Sequence, residues 1–345
     1  FLVPIVVVFI YWGDRGDGWF TILAFVVSSV SSFALGVLLR KSFRNEPMDL
    51  TGSMLMCALA WLIVSALGAL PYVIIEGAPY LDSCFEAMSG FTTTGITLFT
   101  GLDKLPHSLL FWRALTQWVG GLGILSFFLA VTYQGGEAHH VFGAESHKIS
   151  IGRPSPGIFS SIRIFWIIYG FFTVFCIILL SLEGMPVFDS VCHTFTGLST
   201  GGFSPHDSSI GHYAEEGYRH YKLIEYTIIL VMLLGGINFL IHFRVLTGNF
   251  KALWDNFEMK NWWWFILIFT VAIMLEHLYV KGFFQEILFE REGLTAAKLE
   301  QTLRDCLFQV TSIMTTTGFA TKDIGSSYFP TFSKQLFLIM MVIGG

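Results

Sequence analysis

The chain contains DSCFEAMSGFTTTGIT at residues 82–97, DSVCHTFTGLSTGGFS at 189–204 and DCLFQVTSIMTTTGFA at 305–320. The three blocks align without a gap. Asp82, Asp189 and Asp305 head them, and Gly95, Gly202 and Gly318 fall at one offset (189−82 and 202−95 both give 107; 305−189 and 318−202 both give 116). Repetition of this kind marks an architecture built from one supersecondary unit used several times. A glycine pair follows each block inside the next apolar run: Gly120-Gly121, Gly235-Gly236 and Gly344-Gly345. The unit reads as an apolar span, a helix too short to span, a hydroxyl-and-glycine loop, and a second span with central glycines.

Composition says what surrounds these units. Of 345 residues 54% are hydrophobic and 13% charged, against about 25% charged in ordinary soluble domains. The charges sit in islands between apolar runs, which excludes a soluble enzyme, a disordered chain and a basic nucleic-acid binder. Spanning a bilayer takes about 20 apolar residues. Runs at roughly 19–39, 52–75, 108–133, 158–182, 221–247, 261–281 and 330–345 qualify, the last incomplete, and 1–12 is a further incomplete candidate. The fold class is an all-α polytopic membrane protein of helix–re-entrant pore helix–helix units around a central pore. Phe1 lies within an apolar run and the chain stops just past another, so the expectation is a fragment of a longer protein. Five scattered cysteines form neither a disulfide framework nor a zinc pattern. His139, His140 and His147 lie on a polar stretch without cysteine, and nothing calls for a covalent cofactor.

Basic residues fix the orientation. Arg40, Lys41 and Arg44, then Lys148 and Arg153, then Arg244, Lys251 and Lys260 fall in alternate connections. By the positive-inside rule those connections are cytoplasmic, as is the N-terminus. The connections 76–107, 183–220 and 282–329 then lie outside and hold the three blocks. Trp262, Trp263 and Trp264 open a span on the inner side as an aromatic belt.

Irregular backbone at membrane depth is tolerated only where protein buries it or it lines a watery cavity. Several Thr/Ser-Gly loops around one axis meet that condition. Their carbonyls replace the hydration shell of a cation, and their hydroxyls are expected to add oxygens. The carbonyl end of the short helix favours a cation. Asp82, Asp189 and Asp305 are expected to be N-caps of these helices. Glu86, His193 and Gln309 occupy one register position and are expected to hydrogen-bond behind the loops. The glycine pairs are expected to permit close helix packing, and Asn238 to bridge helices. The spans hold almost no ionisable residues: Arg113, Glu225 and His242 sit near ends, and no nucleophile–base spacing indicates an enzyme.

FTTTGIT, GLSTGGFSPHD and TTTGFATKD, with LPHSLLFWRALTQWVGGLGI (105–124) and LLGGINFLIHF (233–243), resemble the Trk/Ktr/HKT potassium-transport superfamily, and within it the TrkH-type bacterial potassium uptake subunits. The resemblance runs across nearly the whole chain. It implies four repeats around one potassium pathway in the bacterial inner membrane. Here those would be a leading helix pair at 1–45, repeat one at 46–135, a cytoplasmic linker and repeat two at 136–248, and a truncated repeat three at 249–345, with the fourth absent. The selectivity filter it implies is Thr92, Thr93, Thr94, Gly95 and Ile96; Ser199, Thr200, Gly201, Gly202 and Phe203; and Thr315, Thr316, Thr317, Gly318 and Phe319, with K⁺ bound there as substrate. Glycine in all three strands goes with potassium preference in the superfamily; the alternative is a less selective Na⁺/K⁺ symporter or channel. A gating loop would begin at Gly344 and Gly345. The implied partners are membrane lipid, a second copy in a homodimer and a cytosolic nucleotide-binding (TrkA-like) regulatory ring, with no nucleic acid.

Overall fold

The structure, a computed structural model, describes residues 1–43, 50–132, 158–255, 257–280 and 296–344. Helices carry the architecture, and no strand occurs among the described residues. Four of them are long and apolar enough to cross a membrane: Trp19–Ser42, Ala58–Glu76, Ile162–Leu182 and Phe257–Val280. Trp19, Phe20, Leu23, Val30 and Phe33 are exposed along the first of these. Such an apolar outer face suits lipid and not water. The chain divides into two compact units, residues 1–167 with 201–207, and residues 168–200 with 208–345.

In the first unit α1 (Val3–Ile10), α2 (Trp19–Ser42), α3 (Leu50–Gly68) and α4 (Leu70–Glu76) lead to the short α5 (Tyr80–Phe91) and the long α6 (His107–Thr132). The expected span at 52–75 corresponds to Ala58–Glu76; α3 and α4 are separated only at Ala69, whose own backbone is helical (φ −71°, ψ −26°). Pro71 sits at the start of α4, a position where its missing N–H costs little. α5 packs against both α3 and α6. Their shared core is Phe25, Ala69, Tyr72, Ala87, Phe91, Leu109 and Trp112.

The second unit holds most of α7 (Ile158–Leu182), then α8 (Val187–Leu198), α9 (Tyr221–Gly236), α10 (Phe239–Leu246), α11 (Phe257–Val280), α12 (Ala296–Met314) and α13 (Thr331–Gly344). α8 packs on α9, and α12 on α9, α11 and α13. One core gathers Ile224, Ile228, Met232, Phe308 and Phe319, and a second Ile273, Val310, Met314, Phe337 and Met340.

α5 and α8 are 12 residues each, about 18 Å of helix against the roughly 30 Å of a hydrocarbon core. Both follow the same start signal, a left-handed glycine (Gly77, φ 66°; Gly184, φ 94°) and then a proline at the N-cap (Pro79, Pro186). α12 departs from this pattern and runs 19 residues.

The expected span at 221–247 is broken. α9 ends at Gly236, Ile237 is extended, and α10 leaves at 103°. Asn238 caps α10 by accepting from the Leu240 N–H at 2.9 Å. His242 Nε2 lies 2.8 Å from the Leu234 carbonyl, which satisfies a group freed by the break.

Candidate functional site

The three loops leave their helices in one conformation. Thr93, Thr200 and Thr316 have φ of 54°, 56° and 58°, and two residues on Gly95, Gly202 and Gly318 have φ of 78°, 77° and 87°. A left-handed conformation costs a non-glycine residue about 1–2 kcal/mol, and it is least expected of a β-branched one. Backbone bonds hold it. The N–H groups of Thr93, Thr94 and Gly95 donate to the Gly90 and Ser89 carbonyls at 3.0, 2.9 and 3.4 Å. Those of Thr316, Thr317 and Gly318 donate to Ile313 and Ser312 at 3.0, 2.9 and 3.4 Å, and Thr200 donates to Gly197 at 3.1 Å.

These bonds set where the carbonyls point. Across a planar trans peptide the C=O of one residue is directed opposite to the N–H of the next. With three successive N–H groups turned back onto the helix, the carbonyls of Thr92, Thr93 and Thr94 face away from it, as do those of Thr315, Thr316 and Thr317. A row of outward carbonyls is the arrangement that desolvates a cation.

The first hydroxyls of the loops share one hydrogen-bond pattern. Thr92 Oγ1 donates to the Met88 carbonyl at 2.7 Å, Ser199 Oγ to Thr196 at 3.2 Å and Thr315 Oγ1 to Thr311 at 2.8 Å. The first hydroxyl of every loop donates its proton to a carbonyl of its own helix, which leaves its oxygen lone pairs directed away from that bond. Thr92 and Thr94 also pair at 2.8 Å, as do Thr315 and Thr317. With the first hydroxyl's proton already spent, the second is the donor. Of the last residues, Ile96 is exposed, whereas Phe203 and Phe319 are buried.

The aspartates do not cap as expected. The N-caps of α5 and α8 are Pro79 and Pro186, with no side-chain cap bond. Asp82 and Asp189 lie in the first turns, where a negative charge still suits the helix dipole, and Asp189 accepts from Tyr213 Oη at 3.1 Å. Asp305 lies in the middle of α12 and accepts from the Tyr328 hydroxyl.

The glycine pairs show close packing at one repeated place. A Cβ on Gly120 would stand 2.1 Å from the Phe91 carbonyl oxygen, one on Gly235 2.6 Å from that of Leu198, and one on Gly344 2.8 Å from that of Met314. Phe91, Leu198 and Met314 are the last residues of α5, α8 and α12. Each inner helix thus presses bare backbone onto the end of the short helix before it. Gly345, the histidines at 139, 140 and 147 and the segment 134–157 lie outside the described residues.

Behind the first loop Glu86 is fully buried. Its carboxylate accepts from Arg113 Nε and Nη2 at 3.0 and 2.8 Å, from Thr97 Oγ1 at 2.8 Å and from the Leu98 N–H at 3.0 Å. The expected hydrogen bonding at this register position is therefore present at Glu86. His193 lies edge-on to Tyr213 and Phe319, with ring centroids 5.8 and 5.4 Å away. Arg113, read from sequence as a span-end residue, is buried on α6. It reaches the Ser204 carbonyl at 3.1 Å and lies 4.3 Å over the Phe203 ring. In the second unit Arg304 Nε meets Glu225 at 2.5 Å, with both buried. The signal that points to Arg113 is an arginine within an apolar run, which in a membrane needs a partner. Gln117 carries no such signal, yet its amide bonds the Gly201 carbonyl and the Phe203 N–H.

A family model described as TrkH, cation transport protein, matches residues 21–345. The Trk system potassium uptake protein TrkH of Salmonella typhimurium is 32% identical over 356 residues, covering 100% of this chain and 67% of that protein. The protein of the same name from Escherichia coli is 31% identical with the same coverage. The crystal structure of the potassium transporter TrkH from Vibrio parahaemolyticus superimposes with a TM-score of 0.77 at 28% identity, over 98% of this chain and 65% of that one. The chain spans about two thirds of the length of these relatives.

Proposed function

The chain belongs to the TrkH family of cation transport proteins, a family of transporters and not of enzymes, and on that premise we propose that it supplies the ion-selective part of a potassium uptake pathway. The filter in this reading is Thr92–Ile96, Ser199–Phe203 and Thr315–Phe319, in a four-repeat full-length protein. The observation that carries it is the threonine–glycine pair of left-handed residues recurring in all three loops, with the carbonyls of residues 92–94 and 315–317 turned off the preceding helices. Strain of this kind persists only where surrounding structure over-determines it, and such places cluster at functional sites. Potassium is the substrate because relatives at 31–32% identity carry that ion in their names and because each loop has glycine at the second left-handed position.

The protein in this reading is a multi-pass protein of the bacterial inner membrane with a cytoplasmic N-terminus, and it works as a homodimer. A cytosolic nucleotide-binding ring gates it. The relatives' designation as parts of a Trk system supports a multi-component assembly.

The test is Rb⁺ and Na⁺ uptake by the full-length protein in cells lacking other potassium uptake. Wild type should prefer Rb⁺. Gly95→Ser places a side chain at φ 78° in the row of carbonyls and should lower that preference and admit Na⁺. An unchanged Rb⁺/Na⁺ ratio at normal expression would remove Gly95 from the pathway.

A further inference from the structure

Resting on the potassium-pathway reading, we propose that Gln117 positions the second filter strand and is thereby a determinant of ion selectivity. Gln117 lies fully buried on α6. Its Nε2 donates to the Gly201 carbonyl at 2.8 Å and its Oε1 accepts from the Phe203 N–H at 3.0 Å. The amide presents one donor and one acceptor to one backbone acceptor and one donor, as a neighbouring β-strand would. Arg113, one turn earlier on the same helix face, holds the Ser204 carbonyl, three residues further along, at 3.1 Å.

The first and third strands show why an outside clamp is needed here. In them the residue after the left-handed threonine is Thr94 or Thr317, whose hydroxyl braces the strand on Thr92 or Thr315 at 2.8 Å. The second strand has Gly201 at that place and no hydroxyl to offer. Gln117 supplies the missing brace from the neighbouring helix. The fit depends on the glycine: a Cβ on Gly201 would stand 2.3 Å from Gln117 Cδ. The left-handed angle belongs to Gly202, so Gly201 is glycine for closeness.

The register of the inner helices isolates the amide as the working part. Counted back equally from the packing glycines Gly120, Gly235 and Gly344, the residues matching Gln117 are Met232 and Met341. A long unbranched side chain is what packing asks for at this place, and only beside the brace-less strand does it carry an amide. One consequence is that the Gly201 carbonyl is engaged by protein, while the Gly202 carbonyl, opposite the Phe203 N–H across its peptide, is turned away from Gln117 and offered to the ion.

Gln117→Met keeps the volume and removes both bonds. In the full-length protein it should reach the membrane at wild-type level and lose about tenfold in Rb⁺/Na⁺ uptake ratio, the effect of one to two hydrogen bonds. Gln117→Glu keeps the length and the acceptor for Phe203, should lose less, and serves as the readout if the methionine variant fails to accumulate. A wild-type ratio in whichever variant is assayed overturns the proposal and leaves the pathway reading standing. Failure of both variants to accumulate also overturns it, in favour of a purely structural glutamine. Absence of Rb⁺ preference in wild type overturns the pathway reading itself.

Discussion

Arg113 and Glu86 are each 1% exposed or less, and between them they account for six hydrogen bonds or ionic contacts, to each other and to Thr97, Leu98 and Ser204. Removing one partner of such a pair leaves a buried charge uncompensated, at a cost of about 3–5 kcal/mol. Arg113→Ile should therefore lower the thermal midpoint of the detergent-solubilised protein by roughly 10 °C. The double variant Arg113→Ile with Glu86→Gln should recover much of the loss, because it removes both charges together. The repeat itself offers this exchange: the positions matching Arg113 are Ile228 and Phe337, and those matching Glu86 are His193 and Gln309. An Arg113→Ile protein that melts with wild type, or a double variant no better than the single, would show that the pair is not held as an ion pair.

Between elements, the contact of each inner helix with the end of the short helix before it decides how far the loop can move. Gly120, Gly235 and Gly344 leave the Phe91, Leu198 and Met314 carbonyls room that a methyl group would fill, at 2.1, 2.6 and 2.8 Å. Overpacking costs about 1–3 kcal/mol, and a backbone carbonyl cannot swing aside as a side chain can. The alanine variants should lose thermal stability in the order Gly120, then Gly235, then Gly344; equal losses, or none, would mean that close approach is not what holds glycine there. These elements also divide what the sequence makes legible from what it hides. The blocks at 82–97, 189–204 and 305–320 are readable because the loop conformation is local, set by threonine and glycine at fixed spacing, and the same φ values return in all three. The glycine pairs are readable for the same reason. The capping residues are not: proline three positions ahead of Asp82 and of Asp189 takes the cap, and Asp305 sits inside a longer helix. The break at Ile237 escapes a hydropathy reading because both halves are apolar and only Asn238 and His242 mark it. Arg113 and Gln117 are hidden because their partners Ser204 and Phe203 lie 91 and 86 residues away in sequence.

At the scale of the whole molecule, a transporter that answers to nucleotide needs a nucleotide site, and G-x-x-x-x-G-K-[ST] occurs nowhere in the chain. In the assembly we propose, the regulatory signal arrives from a separate ring. Docking of a soluble ring on a membrane protein uses charged surface close to the bilayer. Arg40 and Lys41 in the last turn of α2, Arg244 in that of α10, and Lys251 and Lys260 are exposed, and the connection 134–157 adds Lys148 and Arg153. Gly135–Pro156 is the longest of these connections, rich in polar residues and free of any need to span. A ring bound there shifts the gate only by binding its open and closed states with different affinity. Replacing residues 136–153 of the full-length protein by a Gly/Ser linker of equal length should abolish co-purification with the candidate ring and flatten the nucleotide dependence of Rb⁺ uptake. Basal uptake should remain, because the loops at 92–96, 199–203 and 315–319 are untouched. Undiminished ring binding with an undiminished nucleotide response would remove this segment from the interface and turn attention to the basic ends of α2 and α10.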